Sequence, residues 1–286
     1  MINIRCGNCE KLFSIEKQIL DDEISPRAVC PYCNTHLKIG VDKTKTCNGL
    51  CSSNMAVEAR AVDKVYKLGK AEYHALKDIN LNIEKGEFIS IMGPSGCGKS
   101  TLLNLIGCLD TATAGRLRIG GNDVSAMNEN ELARLRSHTI GFIFQTFNLI
   151  PRTSALKNVE LAMIFAGVPR ETRRKRARML LEKVGLGDRM WHAPNELSGG
   201  ERQRISIARA LSNNPSMILA DEPTGNLDSK RGTEIMEIIR GLKEREGKTV
   251  IMVTHDKDIA RYADRIYHMK DGAISEVESV LGRGDS

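Results

Sequence analysis

An α/β fold is predicted for the larger part of this 286-residue chain, with a small β module ahead of it. Three observations carry that prediction. An apolar run, Glu87-Phe-Ile-Ser-Ile-Met92, leads into a glycine-rich turn and then a helix-like run, Thr101-Leu-Leu-Asn-Leu-Ile106. Two further apolar runs, Met217-Ile-Leu-Ala-Asp221-Glu222 and Val250-Ile-Met-Val-Thr-His255-Asp, read as strands buried on both faces and ending in polar residues. Six of the eight cysteines fall within the first 51 residues, which sets a short N-terminal module apart from the rest.

Composition narrows the class. The chain is long enough for one large domain with a substantial core and one small domain. Its 27% charged and 41% hydrophobic content is that of an ordinary soluble protein. The net charge of +6 is spread out, whereas a dedicated nucleic-acid binder concentrates its basic residues in a stripe. The densest basic stretch, Arg170 to Arg178, fits a helix with a solvated face, and no nucleic-acid partner is expected. No apolar run reaches the ~18 residues of a membrane helix, and the N-terminus lacks the layout of a secretory signal. A cytoplasmic location follows as the expectation.

Residues 1–40 are expected to form a zinc-binding β module. Cys6-Gly-Asn-Cys9 and Cys30-Pro-Tyr-Cys33 place two CxxC turns about 20 residues apart. In a reducing compartment clustered cysteines indicate metal rather than disulfides. Four thiolates from Cys6, Cys9, Cys30 and Cys33 make a closed tetrahedral site, which suits structural Zn2+. Lys11-Leu-Phe-Ser-Ile and His36-Leu-Lys-Ile alternate as short strands do. A unit this small needs the metal for much of its folding energy. It resembles the short zinc ribbons at the N-termini of some bacterial proteins. His36 is a rival ligand, though four cysteines leave it better suited to the surface. Cys47 and Cys51 have the wrong spacing for such a site and lie in a polar stretch, residues 41–55, that reads as a linker.

The larger domain, residues 56–286, opens with apolar positions at Val57, Ala59, Ala61 and Val62, as a strand would. The turn after the next apolar run is Gly93-Pro94-Ser95-Gly96-Cys97-Gly98-Lys99-Ser100, a match to GxxxxGK[ST] in the strand–turn–helix context that the motif requires. Its glycines let backbone N–H groups converge on phosphates, and the helix starting near Thr101 points its positive end at them. Lys99 adds charge, and Ser100 is suited to ligate Mg2+ through its hydroxyl. Cys97 sits in the loop with no evident chemical task. Leu197-Ser198-Gly199-Gly200-Glu201 precedes a helix-like run from Arg202 to Leu211 and makes a second helix-start anion site. Asp221 is a candidate Mg2+ ligand and Glu222 a candidate base for an attacking water. His255 ends its strand at the carboxyl edge of the sheet, where open α/β sheets bind ligands.

Taken in order, these segments resemble the ATPases of the ABC class, over about residues 56–277. The resemblance implies a mixed-sheet core, an antiparallel β subdomain and a helical subdomain near residues 146–213. It implies that Tyr66 stacks on adenine, with Tyr73 the nearby alternative, and that Gln145 at the end of Ile140-Gly-Phe-Ile-Phe-Gln145 reaches Mg2+ or the attacking water. It implies that the Ser198-Gly199-Gly200 signature contacts the γ-phosphate held by the opposite subunit, that Asp228 of Gly225-Asn-Leu-Asp228 lies in a loop crossing the dimer interface, and that His255 bonds the γ-phosphate. One phosphate loop and one signature per chain then imply a two-fold homodimer around two MgATP.

Gly141-Phe-Ile-Phe-Gln-Thr-Phe-Asn-Leu-Ile-Pro151 and Ala-Asp-Glu-Pro-Thr-Gly-Asn-Leu-Asp228 further resemble the subgroup of lipoprotein release and macrolide export, related to a cell-division ATPase. That subgroup implies a peripheral ATPase on the cytoplasmic face of the inner membrane, working against a separate four-helix permease. ATPases of cell-wall remodelling, and soluble nucleic-acid-associated ATPases of the same class, are the alternatives. The cysteine module departs from the usual pattern of the subgroup.

Overall fold

The structure, a computed structural model, describes residues 54–69 and 71–280 together with four short strands near the N-terminus. The chain divides into two compact units, Met1–Cys51 and Ser52–Ser286.

In the first unit β1 (Ile2–Arg5) pairs antiparallel with β2 (Leu12–Ile15), and β3 (Arg27–Val29) pairs antiparallel with β4 (His36–Lys38). The alternation at residues 11–15 and 36–39 anticipates β2 and β4; β1, Ile2-Asn-Ile-Arg5, alternates as well, whereas β3 does not. Cys6 and Cys9 fall in sequence between β1 and β2, and Cys30 and Cys33 between β3 and β4. These four cysteines lie outside the described residues, as do Cys47 and Cys51.

The second unit begins with two long strands, β5 (Met55–Leu68) and β6 (Ala71–Glu84). β5 takes in Met55, the last residue of the expected linker, and Asn54 is tied in by its carbonyl, which accepts from Lys85 N at 2.8 Å. The apolar alternation along β5 breaks at Ala61. Val57, Ala59 and Val62 are buried, but Ala61 is exposed with φ 47°. A bulge there shifts the register, and an extra residue reverses which face the following side chains take. Gly115 packs so closely against this bulge that a Cβ would lie 2.1 Å from the Ala61 carbonyl.

Then follow β7 (Phe88–Met92) and α1 (Lys99–Ile106), β8 (Ala114–Ile119) and β9 (Asn122–Asp123), α2 (Glu129–Thr139) and β10 (Ile140–Phe144). Three helices come next: α3 (Ala155–Phe165), α4 (Arg170–Lys183) and α5 (Gly199–Ala210). The chain ends with β11 (Met217–Asp221), α6 (Ser229–Glu246), β12 (Thr249–Val253), the short α7 (Lys257–Ala260), β13 (Arg265–Lys270) and β14 (Ala273–Ser279). The basic stretch forms the first turns of α4, as expected. No helix among the described residues is long and apolar enough to cross a membrane.

Two sheets result. The larger runs β10-β11-β12-β7-β13-β14, parallel except for the antiparallel β13–β14 pair. The smaller, β6-β5-β8-β9, is antiparallel. Period-two alternation divides the parallel strands between two cores. Ile89, Ile91, Met217, Leu219, Ile251 and Val253 join α1 and the antiparallel sheet on one face. Phe88, Ile218, Ala220, Val250 and Met252 pack on the other face with α3, α5 and α6. That face of α6 is Ile235, Met236, Ile239 and Leu242, at helical spacing. Strands covered on both sides need no polar residues until they end. Their carboxyl ends are where the polar residues gather.

Candidate active site

The phosphate loop is shaped by what its glycines avoid. Gly93 follows β7, and a Cβ there would lie 2.3 Å from the Met269 carbonyl and 2.7 Å from Cys97 Sγ. Gly98, at φ 102°, takes the N-cap position of α1, where a Cβ would lie 2.6 Å from the Ala75 carbonyl. Only glycine adopts that backbone without strain. Gly98 brings no side-chain acceptor, and the first-turn amides of α1 have none within the helix. Those N–H groups and the helix dipole face the mouth of the loop.

Lys99 is nearly buried, and its Nζ donates to the carbonyls of Gly93 at 2.8 Å and Pro94 at 2.9 Å. The ammonium thus closes the loop on itself. Pro94, Ser95, Gly96 and Ser100 are exposed, and Thr101 is half-buried. Cys97 turns inward instead: its thiol is buried, and its carbonyl accepts from Gly272 N at 3.1 Å.

β7 lies beside β12, and β12 beside β11, so the ends of these strands bring Lys99, Asp221, Glu222 and His255 to one edge. Burial, and then the neighbouring Glu222 charge, push the Asp221 carboxyl above its usual range, while Lys99 acts in the opposite direction. Glu222 has φ 43°, a left-handed backbone uncommon for a residue other than glycine. Its N–H donates to the Val253 carbonyl at 2.9 Å, and its carbonyl accepts from Gly225 N at 3.1 Å. A hydrogen bond of 2.9 Å joins His255 Nδ1 and Glu222 Oε1. An ionised carboxylate can only accept, so the imidazole carries a proton on Nδ1 in this arrangement.

Gln145 follows β10 on the neighbouring strand. Its carbonyl accepts from Asn226 Nδ2 at 2.9 Å. A Cβ on Gly225 would lie 2.7 Å from Gln145 Nε2 and 3.3 Å from Glu222 Oε2, so the bare glycine admits both side chains. Beyond their place in the Gly225–Asp228 segment, Gly225 and Asn226 carry no individual signal in the sequence.

Tyr66 and Tyr73 are cross-strand partners at the end of the β5–β6 ribbon. Tyr66 donates its hydroxyl to Asp110 Oδ2 at 2.7 Å, and Lys64, paired with the same carboxylate, lies 4.8 Å from the ring centroid. Burial, with Asp110 after it, raises the Tyr66 phenol above its ordinary value. Tyr73 is half-exposed and donates to the Gly96 carbonyl at 3.3 Å. Both tyrosines therefore border the phosphate loop. Lys64 and Asp110 have no local signal in the sequence, because their contacts span more than forty positions.

The signature segment stands apart from this group. Ser198 caps α5 with a reciprocal capping box: Ser198 Oγ accepts from Glu201 N, and Ser198 N donates to Glu201 Oε2 at 2.8 Å. Those bonds hold the Glu201 carboxyl below its usual range. Gly199 packs on Leu227, and Gly200 on Arg231. Asp228, expected at a dimer interface, caps α6 by accepting from Arg231 N at 3.0 Å. Among the described residues no hydrogen bond joins Ser198–Gly200 to the phosphate loop.

A helix start fed by a glycine turn, with a lysine and a carboxylate pair at its mouth, defines a phosphate-loop nucleoside triphosphatase. Relatives narrow this further. The family described as ABC transporter matches over residues 76–225. An ABC transporter ATP-binding protein of Methanocaldococcus jannaschii, MJ1508, is 55% identical over 221 residues, covering 77% of this chain and 98% of its own length. The macrolide export ATP-binding/permease protein MacB of Aggregatibacter actinomycetemcomitans is 53% identical over 218 residues, covering 76% of this chain and 34% of that protein. The dimeric ATP-binding cassette MJ0796, solved in a post-hydrolysis state with ADP and Pi, superposes with a TM-score of 0.74 at 50% identity, covering 79% of this chain and 99% of that one. The chain belongs to the ABC transporter family. It is an ATP-binding, ATP-hydrolysing subunit of that family.

Proposed function

We propose that two copies of this chain enclose two MgATP, each between one chain's phosphate loop and the other's signature, and drive a separate membrane partner of the export or lipoprotein-release type. The observation that carries this reading is the split site. Lys99, Asp221, Glu222 and His255 gather at one sheet edge, while among the described residues the Ser198 helix start makes no hydrogen bond to the phosphate loop of its own chain. Two-fold pairing supplies each loop with the missing half. Support also comes from relatives: MJ0796 is a dimer in its solved structures, and the relative MacB is named for macrolide export.

Each residue then has a task. The loop from Gly93 to Gly98, through the backbone N–H groups that every residue but Pro94 carries, cradles the phosphates together with the amides of Ser100 and Thr101; Lys99 exchanges its two loop carbonyls for phosphate oxygens, and Tyr66 stacks on the adenine. Ser100, Asp221 and Gln145 offer the hard oxygen donors that Mg2+ takes, and a cation relieves the repulsion between Asp221 and Glu222. Bound with the nucleotide, Mg2+ neutralises charge developing on the phosphates. Glu222 orients and deprotonates the attacking water. His255, now bonded to Glu222, serves the γ-phosphate only after its imidazole swings away or gains a second proton. Closure is favoured by ATP because only the closed dimer completes both sites. Gln145, Asn226 and Asp228 lie on the path from nucleotide to interface.

The partner in this reading is a four-helix permease, which places the chain peripherally on the cytoplasmic face of the inner membrane. The test is co-purification from detergent-solubilised membranes. A four-helix membrane protein retained in stoichiometric amount is the expected result; bound nucleic acid and no membrane protein would overturn it. A second expectation concerns Cys97, whose thiol lies under the loop. A bulky thiol reagent attached there displaces the loop and blocks nucleotide binding. Full ATPase activity after confirmed labelling of Cys97 contradicts this.

The N-terminal unit is read as a zinc ribbon, with Cys6, Cys9, Cys30 and Cys33 as ligands. Each CxxC pair falls in sequence between the strands of one antiparallel pair, β1–β2 or β3–β4, where two tight turns can present four thiolates. Metal analysis of the purified chain should find one zinc per chain, lost on Cys30→Ser. A metal-free preparation whose N-terminal unit is folded rejects the assignment.

A further inference from the structure

Gln203 lies in the second turn of α5, the helix that Ser198 caps, and its side chain is fully buried. Its Nε2 donates to the carbonyl of Pro223 at 2.8 Å, and its Oε1 is buried with no hydrogen-bond partner among the described residues. If this position needed only filling, an apolar side chain of the same length would serve better, because a buried amide oxygen without a partner is costly. The bond to Pro223 is what the amide adds.

Pro223 directly follows Glu222. Its ring locks φ, so a hold on its carbonyl also restrains the peptide that joins it to Glu222. Glu222 needs restraint: its backbone sits at φ 43°, a conformation that persists only where the surroundings impose it. The Val253 carbonyl fixes the Glu222 N–H on one side. Gln203 fixes the chain on the other. A single rigid helix thus carries both the signature that faces the partner's nucleotide and the amide that holds the base of its own site.

We propose that Gln203 is a positioning residue that couples the signature helix to Glu222, so that engagement of the partner's nucleotide sets the alignment of this chain's base. The proposal rests on the reading of Glu222 as the base and of Ser198–Gly200 as the contact to the opposite nucleotide. A residue of this kind acts on the chemical step and leaves nucleotide capture alone.

The test is steady-state ATP hydrolysis by the full chain with Gln203→Met, which keeps length and apolar packing without the donor, beside Gln203→Asn, which keeps the amide but shortens its reach. Glu222→Gln is measured in the same assay. The expected result is a fall in kcat of about tenfold or more with KM for ATP and Tm close to native. The Glu222→Gln, Gln203→Met double variant should show no further loss. If Gln203→Met does not fold, Gln203→Asn decides the matter by the same criterion. Native kcat in whichever variant folds overturns the proposal, as does a parallel rise in KM and drop in Tm. Native turnover by Glu222→Gln would instead reject the underlying reading of the site.

Discussion

Glu222→Gln is expected to bind MgATP with near-native affinity and to hydrolyse it roughly 10²–10⁴-fold more slowly, the usual contribution of a positioned base. The substitution is nearly isosteric, so the left-handed backbone at φ 43° and its bond to the Val253 carbonyl are retained. What disappears is the carboxylate. The amide cannot accept the proton of the attacking water, and it no longer raises the Asp221 carboxyl by its charge. His255 Nδ1 keeps a partner, because the amide oxygen still accepts. Single-turnover hydrolysis on a pre-bound nucleotide separates this from a binding defect. Loss of ATP binding in proportion to loss of turnover would show that Glu222 is structural.

Lys99→Ala has the second large effect, and on the opposite quantity. Lys99 bonds two carbonyls of its own loop, and its ammonium is nearly buried. Removing it deletes a charge-assisted contact to the phosphates, worth roughly 1.5–3 kcal/mol, or about 10- to 100-fold in affinity. The free loop also loses its closure at Gly93 and Pro94. Calorimetric titration with ATP should therefore show weak binding or none, with turnover lost as a consequence. An unchanged Kd would mean that the loop amides alone hold the nucleotide. Glu222 and Lys99 thus divide the chemistry cleanly: one variant captures without hydrolysing, and the other does not capture.

Much of this site is legible in the sequence because its parts are local. A strand, a glycine turn and a helix start occupy consecutive residues, so the phosphate loop can be read from Phe88 to Ile106 without knowing the fold. The same holds for Asp221 and Glu222 at the end of β11, and for His255 after β12. What the sequence hides is whatever depends on distant partners or backbone exceptions. Tyr66 is held by Asp110, forty-four positions away. Gln203 meets Pro223 only because α5 packs beside the end of β11. The bulge at Ala61 breaks an alternation that otherwise looks regular, and the φ of Glu222 leaves no trace in residue type. Strands β13 and β14 carry no motif, yet the Met269 carbonyl of β13 is what forbids a side chain at Gly93.

The resemblance of the motif set to the ABC class rests on order and spacing, and the fold supplies the reason for that order. β10, β11, β12 and β7 are neighbours in the sheet, so Gln145, Glu222, His255 and Lys99 come from adjacent strand ends. The signature needs no strand. It needs only a helix start, and Ser198 at the head of α5 provides one. In the proposed dimer, a chain built in this way holds its own chemistry at one sheet edge and lends the Ser198 helix start to its partner.

The most direct test of that division is the sedimentation of the Glu222→Gln chain with and without MgATP, with bound nucleotide counted in each species. A monomer without nucleotide, converting with MgATP to a dimer that holds two ATP, is the predicted result. A chain that stays monomeric at saturating MgATP, while the native chain turns over at a rate per chain independent of protein concentration, would contradict the shared-site account.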